Sequence, residues 1–231
     1  NIDRAGIGNI KTFGKSQFAN IRFVSYSLIN QNMVKLTYSI FHEKIEFVMP
    51  VVPKHMAINF AAALSVVYCL RLDINQAVKV LAQFKPQMGR GLFVDIKKED
   101  KEYSIITDYY NASPESLKAG LEYLHQFKNP KKSAILGDMK ELGKDELKFH
   151  FAAIPHIVKS GVKKLFLVGD IMSQLAQEIP KNILVYTYKN SEELAYDINK
   201  YMEGEEIILI KGSRGIHLEK VAEALGVTNA L

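Results

Sequence analysis

Four consecutive residues, Asp108, Tyr109, Tyr110 and Asn111, set a carboxylate, two phenols and an amide side by side, and Ser113-Pro114-Glu115-Ser116 follows at once. Upstream, Ile105 and Ile106 belong to a short apolar run that reads as a strand. Downstream, Ser113 and Pro114 form a helix start: the hydroxyl can cap free N–H groups, and a proline at the first helical position has no N–H to leave unpaired. The quartet therefore sits in a strand-to-helix turn at the carboxyl end of a strand, the rim where open α/β sheets bind ligands. In that reading Asp108 is an exposed strand-end carboxylate that supports no core, so replacing it should cost little stability. A tyrosine-rich surface turn, with Asp108 and Asn111 as turn formers, is the other reading.

Further groups could do chemistry in the same setting. Lys211-Gly212-Ser213-Arg214-Gly215 puts two cations, a hydroxyl and two glycines just before a helix, as an anion site requires. Asp138 and Glu141, in Gly137-Asp138-Met139-Lys140-Glu141-Leu142-Gly143, are either acid/base groups or turn and capping carboxylates. His55 and Asn59 fall on one face of a helix start, where the amide could read an adenine edge or simply satisfy local backbone. Arg90, between Gly89 and Gly91, could swing onto a phosphate or be a plain surface arginine. The stretch from Gly8 to Ser16 imitates a phosphate-binding P-loop, but Asn9 stands where glycine is required and the residues after it alternate like a strand.

The elements that must position these groups follow from periodicity. Residues 21–28, 33–40 and 45–49 alternate with period two and predict an antiparallel meander with one buried face. Residues 54–70 predict a helix, well buried for want of polar surface in its later turns, and 73–84 a second one. Residues 85–91 read as an interdomain linker able to act as a hinge. Residues 92–96 and 103–107 then form a hairpin. Strands at 133–136, 164–168, 183–186 and 207–210 alternate with helices at 114–127, 146–159, 171–178, 192–202 and 216–225. That alternation predicts an α/β fold with a doubly wound, mainly parallel sheet, whose strand-end loops gather on one rim.

Composition narrows the classes. The 231 residues carry a net charge of +5, 48% hydrophobic and 24% charged residues, values ordinary for a globular protein. The lysines are scattered rather than clustered, which argues against a nucleic-acid partner. No apolar run is long enough to insert in a membrane. Cys69 is the single cysteine, so a disulfide or cysteine metal site within the chain is excluded, and a reducing, cytoplasmic setting is expected. No G-x-G-x-x-G follows a strand.

Four stretches resemble the Mur ligase family, and within it the branch that joins D-alanyl-D-alanine to UDP-N-acetylmuramoyl-tripeptide. Residues 108–116 resemble its D-x-Y-N-A-N-P-x-S, with Ser113 in place of an asparagine. Residues 136–143 with His150 resemble its L-G-D-M-x-E-L-G…H, and residues 211–215 its K-G-S-R-G. Residues 54–62 resemble a G-x-H-N-x-x-N-x-x-A-A helix start, with Pro53 and Met56 replacing the glycine and the first asparagine. Thr12-Phe13-Gly14 resembles a T-F-G strand late in the family's central domain.

The resemblance implies that residues 1–85 are the tail of a central ATP-binding domain and residues 86–231 a Rossmann-like C-terminal domain. The family's P-loop, carbamylated lysine and magnesium ligands would then lie upstream of Asn1, leaving no metal ligand in this chain. It implies an enzyme that phosphorylates the tripeptide carboxylate with ATP, in the presence of Mg2+, and lets the dipeptide amine attack the acyl phosphate. Asn59, with His55, would serve the adenine, Asp108 the ribose hydroxyls and Arg90 the phosphates. Tyr110, Asn111, Ser113 and Ser213 would bind substrate, and Asn111, Lys211 and Arg214 would be catalytic. The chain alone is expected not to turn over ATP. The alternative from another class is an inert ligase-like domain that binds a nucleotide or a partner protein. A folylpolyglutamate-synthase relative fits less well, because the loops match the dipeptide-adding branch.

Overall fold

The computed structural model describes residues 10–98 and 100–228. The chain divides into two compact units, Asn1–Lys85 and Pro86–Leu231.

In the first unit a two-residue strand, β1 (Phe13–Gly14), runs parallel to β2 (Ile21–Leu28), and β2, β3 (Met33–Ile40) and β4 (Glu43–Pro50) form an antiparallel meander. Every second residue of β3, namely Val34, Leu36, Tyr38 and Ile40, is buried, as a strand with one covered face requires. That face meets Ala57, Phe60, Ala61 and Leu64 of α1 (Met56–Cys69). The Tyr38 hydroxyl, whose pKa burial pushes up, donates to the Ala57 carbonyl at 2.9 Å. Asp73 caps α2 (Ile74–Leu81) by accepting from the Asn75 and Gln76 N–H groups. Gly8 and Asn9 of the P-loop look-alike lie outside the described residues; after Ser16 the chain turns directly into β2, with no helix to receive a phosphate. The deep burial expected for the later turns of α1 is not found. Val66, Tyr68 and Leu70 are exposed, because the meander covers only the face that carries Phe60 and Leu64.

The second unit is a six-stranded sheet in the order β5-β6-β10-β7-β8-β9. Its strands are β5 (Leu92–Lys98), β6 (Lys101–Asp108), β7 (Lys132–Gly137), β8 (Lys164–Val168), β9 (Leu184–Tyr188) and β10 (Ile207–Lys211). Only the edge strand β5 is antiparallel to its neighbour. All five residues of β10 and all six of β7 are buried, the continuous burial expected of parallel strands covered on both faces. One face packs α6 (Ser191–Asp197) and α7 (Glu219–Ala224) through Leu194, Val221 and Ala222 against Ile105, Ile135, Ile208 and Ile210. The other carries α3 (Pro114–His125), which contacts β10 and α5 (Ile154–Ser160). The doubly wound, mainly parallel α/β architecture predicted from the strand–helix alternation is therefore present.

The helix boundaries differ from the periodicity for local reasons. The single helix expected over 146–159 is two, α4 (Glu146–Phe151) and α5, because Pro155 lacks the N–H that would continue the ladder and its ring would clash with the carbonyl four residues back. Residues 172–178, a short stretch closed by Pro180, wind as a 3-10 helix. The helix expected over 192–202 leaves α geometry at Ile198 for a 3-10 turn. The one expected from 216 begins only after His217, which sits in the left-handed region at φ 57°.

Several lysines have a structural use. Lys98 donates to the Ala224 carbonyl, Lys101 to Met202, Lys132 to His125 and Lys164 to Tyr201, so lysines cap the carbonyl ends of α3, α7 and the turn after α6, where cations also offset the helix dipole. Among the described residues no helix is long and apolar enough to cross a membrane.

Candidate functional site

Strand order assembles the site. Because β10 inserts between β6 and β7, the loops holding Asp108–Ser113, Lys211–Gly215 and Gly137–Gly143 leave three adjacent strand ends. The register sets Lys211 opposite Asp108 on one side and Leu136 on the other. This change of direction in strand order is where open α/β sheets form a crevice.

At its centre is an ion pair whose cation is buried. The Lys211 side chain is 1% exposed, and its ammonium donates to Asp108 Oδ2 at 2.7 Å and to the Asn111 carbonyl at 3.2 Å. Gly120 of α3 roofs it: a Cβ there would lie 3.1 Å from Lys211 Cδ and 3.6 Å from Asp108 Oδ2. Asp108 keeps 22% of its side chain exposed, enough for one carboxylate edge to meet a ligand. Lys211, predicted as a catalytic cation, thus donates here to Asp108 and to the Asn111 backbone carbonyl. The expectation that Asp108 supports no core does not survive this pairing.

Beside the pair stands a second basic cluster. The Arg90 guanidinium lies over the face of Tyr110, with Cζ 3.8 Å from the ring centroid. Arg214 approaches the same ring at 5.2 Å, with Nη1 3.5 Å from the Tyr110 hydroxyl. Among the described residues neither guanidinium makes an ion pair with a carboxylate. Tyr109 turns inward onto the core, and burial raises its hydroxyl pKa, with Glu219 and Glu223 adding to the rise.

The loop after β7 is held rigidly from three sides. Asp138, 1% exposed, accepts from the Met172 N–H at 2.7 Å and meets the Lys140 ammonium at 3.2 Å. Ser213, buried, accepts from the Lys140 N–H through its hydroxyl and donates its own N–H to the Asp138 carbonyl. Ser213, predicted to bind substrate, therefore ties one loop to the next. His150 is fully buried: Nε2 accepts from the Met139 N–H at 2.9 Å, so Nδ1 carries the proton and donates to the Glu146 carbonyl at 2.7 Å. His150→Leu should leave that Met139 N–H unpaired and lower stability by about 1–3 kcal/mol. An unchanged denaturant midpoint would exclude this role.

The remaining predicted residues have plainer surroundings. Ser113 caps α3 reciprocally with Ser116, so its hydroxyl is occupied as a cap. Asn111 accepts from the Ala112 N–H through its side-chain oxygen. His55 and Asn59 belong to the first unit, exposed at the start of α1, with the Asn59 amide 3.7 Å from Met56 Sδ. The expected linker 85–91 is shorter than its sequence implies. Gly89 N donates to Thr107 Oγ1, Gly91 N to the Thr107 carbonyl and Tyr110 N to the Gly89 carbonyl, which binds residues 89–91 to the end of β6. Sequence reasoning missed the seating of Asp138 against Gly169 and the stacking of Arg90 on Tyr110; neither has a local signal. Among the described residues no group of three or more His, Cys, Asp or Glu could hold a metal ion.

Residues 93–214 match a family model described as Mur ligase, glutamate ligase domain. The chain is 37% identical over 222 residues to the UDP-N-acetylmuramoyl-tripeptide–D-alanyl-D-alanine ligase of Rickettsia prowazekii, covering 96% of this chain and 48% of that protein. It is 30% identical to the Bacillus subtilis enzyme of the same name, over 78% of this chain and 39% of that one. In fold it is similar to a MurF ligase from Thermotoga maritima solved with ADP, at a TM-score of 0.76 and 24% identity, covering 92% of this chain and 47% of that one. The chain thus spans half or less of the length of these relatives.

Proposed function

The chain belongs to the Mur ligase family, and from that premise we propose that its residues form the C-terminal part of an ATP-dependent ligase adding D-alanyl-D-alanine to UDP-N-acetylmuramoyl-tripeptide in the cytoplasm. The observation that carries this reading is the meeting, at three adjacent strand ends, of the three loops that resemble the dipeptide-adding branch. In this reading Asp108 accepts from the ribose hydroxyls of ATP with its exposed edge, and Arg90 neutralises phosphate oxygens. Asn111, Arg214 and the loop from Lys211 line the acceptor side, with Lys211 holding Asp108 in place. The assignment of His55 and Asn59 to the adenine rests on the helix-start motif alone. Catalysis of this kind is positioning and charge neutralisation around a transferring phosphoryl group. Mg2+, which the family resemblance implies, finds no group of three or more His, Cys, Asp or Glu among the described residues.

The test is made on the purified chain. It should bind ADP with a dissociation constant of roughly millimolar order, and Asp108→Asn, assayed below its own melting temperature, should weaken ADP about tenfold to a hundredfold. That range follows from about 1.5–3 kcal/mol for a hydrogen bond to a charged group. Given ATP, tripeptide substrate and dipeptide, the chain should release no orthophosphate, since it contains no P-loop. Release dependent on both substrates would show a complete phosphate cradle and overturn the partial-site reading. An ADP constant unchanged in Asp108→Asn would remove Asp108 from the nucleotide site.

A further inference from the structure

The cluster at Tyr110 holds more than a phosphate-facing arginine. Two guanidiniums from segments far apart in sequence converge on one ring, Arg90 at 3.8 Å from its centroid and Arg214 at 5.2 Å. Like charges brought together repel; among the described residues neither guanidinium pairs with a carboxylate, and the negative face of the aromatic ring attracts both. The ring is well placed to do so. Its backbone N–H is fixed to the Gly89 carbonyl at 2.9 Å, and Arg90 N is fixed to the Gln87 carbonyl at 3.0 Å, so ring and guanidinium are anchored to the same strand end. Arg214 opens the tight turn Arg214–Ile216 directly after β10. With 42% of its surface exposed, Tyr110 supports little core; Tyr109 fills that role.

We propose that Tyr110 is a positioning residue that gathers Arg90 and Arg214 into a single clamp for a polyphosphate. This rests on the phosphate reading of Arg90 above and changes the place of Arg214, which moves from the acceptor side to the same anion. The ring face is what matters: it lies under the Arg90 guanidinium at 3.8 Å, while among the described residues the hydroxyl meets only Arg214, at 3.5 Å. The clamp therefore needs an aromatic side chain at position 110 and tolerates loss of the hydroxyl. A planar guanidinium stacked on a ring keeps its edge N–H groups directed outward, where they can fork onto phosphate oxygens.

The experiment titrates the 231-residue chain with inorganic tripolyphosphate and with ADP at low ionic strength. Tyr110→Phe should bind both within about twofold of the parent, and Tyr110→Leu should bind both about tenfold more weakly or worse, with an unchanged melting temperature as the control for folding. Arg90→Ala and Arg214→Ala should each weaken both probes. The chain contains no tryptophan, so Tyr110→Trp supplies a single indole on the clamp. Its emission should change with tripolyphosphate, and the change should vanish when either arginine is replaced. If Tyr110→Leu binds like the parent while Arg90→Ala weakens binding, the clamp is overturned and the phosphate reading stands. If Arg90→Ala weakens binding and Arg214→Ala does not, the shared clamp is likewise overturned. If neither arginine affects either probe, or the parent binds neither, both readings fall.

Discussion

Asp108→Ala should destabilise the second unit by about 3–5 kcal/mol, the cost of leaving a buried charge without its partner. At roughly 2–4 °C per kcal/mol, the melting temperature should fall by roughly 6–20 °C. The asymmetry of the pair makes the prediction specific. Lys211 is 1% exposed and, among the described residues, would keep only the Asn111 carbonyl at 3.2 Å, whereas Asp108, 22% exposed, can still turn to water when its partner is removed. Lys211→Met should therefore cost less than Asp108→Ala. The double replacement Asp108→Leu with Lys211→Met should recover most of the loss, since neither charge is then desolvated. The cycle also bears on function: Lys211→Met should weaken ADP without removing any group that touches it, because Asp108 loses its support. A melting temperature for Asp108→Ala within about 2 °C of the parent, a difference below 1 kcal/mol, would show that the pair holds nothing together.

A second large loss is expected at Asp138. Read from sequence, that carboxylate is either an acid/base group or a structural one. Its setting decides for structure: it is 1% exposed, accepts from the Met172 N–H at 2.7 Å, and faces Gly169, where a Cβ would come within 2.5 Å of the carboxylate carbon. Asp138→Ala should leave the Met172 N–H unpaired and release Lys140, at a cost of about 2–4 kcal/mol. Asp138→Asn should cost less, since its amide oxygen can still accept from Met172. Gly169→Ala should match Asp138→Ala, because φ of +111° strains any side chain there and the new methyl displaces the carboxylate. Urea midpoints at constant slope measure all three. Parent-like stability in Asp138→Ala would return this residue to the list of acid/base candidates.

The difference between these residues and those read correctly from sequence is one of range. Periodicity, caps and turn formers act over two to four residues, so they are written where they operate. The alternation of 33–40 made β3, and Ser113-Pro114 started α3 where the pair predicts a helix start. The apolar runs at 133–136 and 207–210 announced strands, and the structure buries both throughout. Motif loops were legible for the same reason, and so was the α/β class. Where local signals compete, the boundaries moved: Pro155 divided one expected helix, and His217 delayed another.

What lay beyond sequence is what distance in the chain conceals. Helices and strands appear in order from β6 to β10, yet nothing in that order says that the last strand enters between β6 and β7. That insertion turns Lys211 from a loop cation into a buried partner of Asp108, 103 residues away, and brings Arg214 to the ring of Tyr110, 104 residues away. The sequence by itself determined which side chains stand at strand ends. Tertiary structure alone decided which of them are desolvated against one another, because burial and pairing depend on strand order and on the helix packed above, here α3 at Gly120.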